Sequence, residues 1–220
     1  MVAGLAGGFD LLAWDYRGFG ASGPGTRPYR MADVAADVVG LLELVGWDTC
    51  RVVGVSFSGM VTQEVAVTHP DRVQRLGIVR TSAGGGGGSS YPLQQLLELP
   101  LVQRGAAGLR LADCRWDDRR LDGHPGDRAL AERLTARQGQ RDPAGAAARV
   151  AQLQARAGHD VWDRLDAITC PTLVAYGRDD GIAPALNSEA IASQIREAEL
   201  RGYAGGHMFL AQTRRQHPIS

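Results

Sequence analysis

The segment Gly54-Val55-Ser56-Phe57-Ser58-Gly59 places a serine between a short β-branched run and a helix-like stretch. On a tight strand-to-helix turn a serine points its hydroxyl out at the end of a sheet, beside the positive end of the following helix. Small flanking residues suit such a turn because its backbone is strained and neighbouring chains come close. The usual spacing is Gly-x-Ser-x-Gly. Here Ser58 takes the last position and the glycine follows at Gly59. A serine hydroxyl becomes a nucleophile when a base takes its proton and a third group orients that base. Two later segments carry such groups. Gly177-Arg178-Asp179-Asp180-Gly181-Ile182-Ala183-Pro184 follows an apolar run ending at Tyr176, and Gly205-Gly206-His207 follows the last β-like run. The chemistry these residues permit is acyl transfer through serine, histidine and a carboxylate.

These side chains need a scaffold that brings positions about 150 residues apart to one edge. Apolar runs at Phe9–Trp14, Arg51–Val55, Leu76–Val79, Thr172–Tyr176 and Glu199–Tyr203 read as strands. Between them, Met31, Val34, Val38, Leu41, Leu42 and Val45 recur at helical spacing, and Gly46 closes that helix. Ser58–Thr68 reads as a helix stopped by His69-Pro70, and Ala185–Ile195 as another. The alternation predicts the α/β class, a mostly parallel sheet with flanking helices. Residues 86–167 interrupt it with polar, Arg- and Ala-rich sequence. Leu96, Leu97, Leu99, Leu130, Leu134, Val150 and Leu153 suggest short amphipathic helices there, and no strand. The glycines 84–88 read as a flexible connector.

Composition removes several alternatives. The 220 residues are 44% hydrophobic and 22% charged, with 24 basic and 24 acidic residues and the basic ones scattered along the chain. This suits a folded domain with one core and leaves no electrostatic footprint for nucleic acid or anionic membrane. Every basic residue is arginine, so Schiff-base, pyridoxal-phosphate and P-loop lysine chemistry is excluded. Cys50, Cys114 and Cys170 have neither metal-ligand spacing nor a disulfide framework. No apolar run approaches the roughly 20 residues of a membrane span. The first ten residues lack the pattern of a secretory signal, which makes the cytoplasm the expected location. His69 reads as a helix stop. His124, His159 and His217 read as structural or solvated, as does the cluster Asp117-Asp118-Arg119-Arg120.

The motifs together resemble those of the α/β-hydrolases, in particular bacterial serine esterases, lactonases and polyhydroxyalkanoate depolymerases. Asp15-Tyr16-Arg17-Gly18-Phe19-Gly20-Ala21-Ser22 is similar to the family's turn after its fourth strand, and Gly54–Gly59 to its nucleophile elbow. His69–Val73 resembles the approach to strand six, Gly177–Pro184 the acid loop, and Gly205–Leu210 the histidine loop. The resemblance implies Ser56 as nucleophile, His207 as base, Asp180 as orienter and the Phe57 backbone N–H as oxyanion donor. Asp180 is preferred to Asp179 on the family pattern Gly-x-x-Asp-x-Ile-x-Pro. It implies a hydrolase core over 1–85 and 168–220 and a helical cap over 86–167. The substrate would be a small ester or lactone, with no cofactor or metal. A serine at the elbow argues against the dehalogenase and epoxide-hydrolase branches. Haloperoxidase-like and carbon–carbon-bond hydrolases use the same triad.

By comparison with the family, the sequence starts after the first three strands and after the loop that supplies the second oxyanion donor. The expectation is therefore a truncated chain, whose runs at Phe9 and Arg51 either pair directly or leave a gap. The closing helix is expected to break off at Arg214–Pro218. The rival expectation is a catalytically impaired or non-enzymatic fragment that keeps the fold and pocket.

Overall fold

The computed structural model describes residues 2–23, 28–139 and 145–212. His217 and the stretch Arg214–Pro218 lie outside them. Four parallel strands form one sheet in the order β1 (Cys50–Val55), β2 (Val73–Val79), β3 (Thr172–Gly177) and β4 (Glu199–Tyr203). Val52 pairs with Leu76, Leu76 with Thr172, and Leu173 with Glu199. The helices are α1 (Val2–Leu5), α2 (Met31–Leu44), α3 (Phe57–Thr68), α4 (Gln95–Glu98), α5 (Leu101–Ala112), α6 (Asp118–Gly123), α7 (Pro125–Gly139), α8 (Ala146–Ala157), α9 (Ala185–Gln194) and α10 (Phe209–Gln212).

Side chains alternate across a strand, so each strand offers one set to each face. Val52, Leu76, Ile78 and Val174 bury themselves against α2, α3 and α9 in the main core, with Val34, Val38, Val61, Val65 and Ile191. α2 turns Met31, Val34, Ala35, Val38, Val39 and Leu42 inward, close to the predicted face, and Gly46 follows it at φ 72°. The opposite sheet face carries Arg51, Val53 and Arg75. Val53 is 55% exposed, and no strand pairs with the outer edge of β1 among the described residues. Near the strand ends that face is covered again, where Phe209 packs on Val79 and Ala175.

Two expectations fail, each for a physical reason. Phe9–Trp14 is not a strand. It joins no ladder among the described residues, and its Phe9 is 50% exposed under the Arg51 guanidinium. The glycines 84–88 are not a loose connector. Gly85–Gly87 form a 3₁₀ turn, and Gly86 and Gly87 lie against the Trp162 indole where a Cβ would collide.

The inserted segment contains helices and, among the described residues, no strand. α5, α6 and α7 share a small core of Ala112, Trp116, Leu130 and Ala131. The later part joins the main core instead, through Ala151, Ala155, Val161 and Leu165. On α8 the buried residues are Ala148, Ala151 and Ala155, while Val150, expected on the inner face, is half exposed.

Candidate active site

Ser56 sits between β1 and α3 with φ 59° and ψ −117°, a strained conformation for a residue with a side chain. Its N–H donates to the Val79 carbonyl at 2.9 Å, tying the turn to β2. The turn has room only for hydrogens at two places. A Cβ on Gly54 would overlap the Ser58 carbonyl, and one on Gly59 would press on Thr81. Ser58, where the usual spacing has glycine, is half-buried and its hydroxyl finds a partner. Its Oγ accepts from the Tyr16 hydroxyl at 2.8 Å. Burial pushes the Tyr16 phenol up, so it remains a neutral donor.

His207 and Asp180 reach the serine from the ends of β4 and β3. The His207 Nδ1–H donates to Asp180 Oδ2 at 2.7 Å, and Nε2 accepts from the Ser56 hydroxyl at 3.0 Å. This tautomer follows from the carboxylate partner. The other Asp180 oxygen accepts the Ile182 and Ala183 N–H groups at 2.8 and 2.9 Å. Asp180 and His207 are both buried. Burial lowers the imidazole below its ordinary range. Asp180 opposes that fall, and the nearby Arg80 cation adds to it. The Phe57 N–H, first in α3, has no acceptor among the described residues.

The four residues singled out for chemistry are thus together. Asp179 turns away from His207, and Arg115 Nε lies 3.1 Å from its carboxylate. Among the other histidines, His69 ends α3 as read, His124 is exposed, and His159 is buried. The Asp15–Ser22 turn is a corner: Asp15 accepts the Ala21 N–H, and Gly18 and Gly20 take positive φ. Three residues at the site escaped the sequence reading. Tyr16 lay within a recognised turn, but its partner Ser58 is 42 residues away. Gln63, which ties Gly59 to Ser82, and Arg115 had no local signal. The cysteines are free thiols. No described group of His, Cys, Asp and Glu is arranged to hold a metal, and no described helix is long and apolar enough to cross a membrane.

Comparison with known proteins gives a consistent result. RutD of Variovorax paradoxus (strain S110), described as a carbamate hydrolase, is 30% identical over 212 residues, 92% of this chain and 76% of its own length. A poly(3-hydroxyalkanoate) depolymerase of Ectopseudomonas oleovorans is 27% identical over 203 residues, covering 91% of this chain and 69% of the relative. A hydrolase of Pseudomonas aeruginosa PA01 superposes with a TM-score of 0.70 at 26% identity, over 93% of this chain and 73% of that structure. An enol-lactonase of Burkholderia xenovorans LB400 shares the fold, with a TM-score of 0.75 at 21% identity over 98% and 79%. The sequence profile of the alpha/beta hydrolase fold matches residues 1–212. The parallel sheet with its flanking helices and this near full-length match agree: the chain belongs to the alpha/beta hydrolase fold family.

Proposed function

We propose that this hydrolase cleaves a small carboxylic ester or lactone through an acyl-enzyme on Ser56. The observation that carries the reading is His207, hydrogen-bonded through one nitrogen to Asp180 and through the other to Ser56. The Ser56 proton passes to His207 Nε2 as Oγ bonds to the substrate carbonyl carbon. The oxyanion that forms faces the Phe57 N–H, and Asp180 stabilises the imidazolium. Collapse expels the alkoxide, which takes the proton from His207. Water then gives a proton to His207 and attacks the acyl carbon, releasing the acid and restoring Ser56. No step calls for a cofactor or metal. Residues 86–167 act as the cap that selects the substrate.

The kinship to RutD supports a second substrate class, carbamates, whose carbonyl is open to the same attack. Intact-mass detection of a fluorophosphonate adduct tests the mechanism. A single adduct on the chain, absent from Ser56→Ala, is the expected result. Paired 4-nitrophenyl ester and carbamate substrates then rank the two classes. No adduct on a chain that melts cooperatively would overturn the reading in favour of an impaired scaffold.

A further inference from the structure

The end of α5 and the residues after it touch both loops that carry the proposed base and orienter. The Leu111 carbonyl accepts the Gly181 N–H at 3.0 Å, next to Asp180. The Ala112 carbonyl accepts the N–H of His207 itself at 2.5 Å, and the Cys114 N–H donates to the Asp179 carbonyl at 3.0 Å. Gly206 has no space for a Cβ against the Ala112 carbonyl and Asp113 Cα, so the segment sits directly on the histidine loop.

Charges reinforce these backbone bonds. The Asp113 side chain is fully buried and accepts from Arg115 Nε at 2.9 Å, Arg115 Nη2 at 2.6 Å and Gln212 Nε2 at 2.9 Å. The same guanidinium reaches Asp179, whose carboxylate in turn accepts the Gly205 N–H at 3.4 Å. One arginine thus joins the insertion to the acid loop, and Asp179 relays that tie to the histidine loop. A planar, always charged fork is suited to holding two carboxylates at once.

We propose that Asp113 and Arg115 are positioning residues, a clamp through which the inserted helices hold the Asp180 and His207 loops in the geometry the triad requires. The inference rests on the Ser56–His207–Asp180 reading. It makes an assembled catalytic site depend on docking of the 111–115 segment, in addition to the sheet.

The test compares fluorophosphonate labelling of Ser56 and the low-field N–H resonance of the His207–Asp180 pair in the unaltered chain, Arg115→Met and Arg115→Lys. Misplacing a catalytic group by about 1 Å costs on the order of 100-fold. Arg115→Met should therefore slow labelling by about that factor and broaden the resonance, and Arg115→Lys, which keeps the charge without the fork, should restore only part of both. A rate within about twofold of the unaltered chain, or slowing with the resonance intact, would overturn the inference. Amide exchange in the unaltered chain provides a measurement independent of the variants. Cys114, Gly181 and His207 should open as one unit, and exchange of Cys114 well ahead of the other two would also overturn it. Absence of any adduct on the unaltered chain defeats the Ser56 reading itself, and the clamp with it.

Discussion

Adjacent aspartates divide two tasks between them. Asp180 holds the imidazole tautomer, whereas Asp179 pairs with Arg115. Asp180→Asn should lower kcat on a 4-nitrophenyl ester by about 10⁴-fold, since the amide favours the wrong tautomer. Asp179→Asn should lower it by only about 100-fold, the scale of a misplaced group. Equal losses would mean that both carboxylates serve the imidazole. As the proposed base, His207 must be neutral to work, and burial lowers its pKa. The rate should therefore rise through a midpoint below the ordinary histidine range and stay high above it. Arg80→Met removes a cation that disfavours the imidazolium, so it should move that midpoint up; a pH–rate profile checks the direction. Ser56, His207 and Asp180 could be picked out because the motifs around them are local in the sequence, and the fold brings the three side chains together. Tyr16 and Arg115 were not, because their contacts span the fold and leave no periodic trace.

The elbow shows how an element disciplines its neighbours. A Cβ at Gly54 would meet the backbone carbonyl of Ser58, which cannot rotate aside. Gly54→Ala should destabilise the fold by about 3 kcal/mol, seen as a lower urea midpoint. It should also slow labelling of Ser56. Periodicity located four of the five proposed strands because each lies beside a partner whose backbone it can bond. It failed at Phe9–Trp14, where the composition suits a strand and no strand pairs with it among the described residues. The glycine run misled in the opposite direction. Its small residues answer a packing demand from Trp162, 74 residues beyond Gly88, which no local reading could register. On α8, too, packing across the fold decides the inner face, and alanines rather than the larger Val150 meet the core.

At the scale of the whole molecule, the helices between β2 and β3 are fastened twice, by Leu165 and its neighbours in the main core and by the 111–115 segment at the loops that carry Asp180 and His207. Near the first attachment lies His159, buried and lowered from 6.5 to about 4, chiefly by loss of water. The unfolded chain takes up a proton near 6.5 that the folded chain refuses, so stability is full above that pH and falls as pH drops towards 4. The contribution is on the order of 3 kcal/mol. His207 acts in the same direction, so His159→Leu should flatten part of the dependence, measured as urea midpoints at pH 7 and pH 4.5. The bare outer edge of β1 has a different consequence. Its amides and carbonyls, unpaired among the described residues and beside an outward Val53, form a template on which partly opened chains can stack. Heat inactivation of concentrated samples will then be a race between refolding and intermolecular ladder growth, and its half-life will shorten with concentration although every molecule begins equally folded.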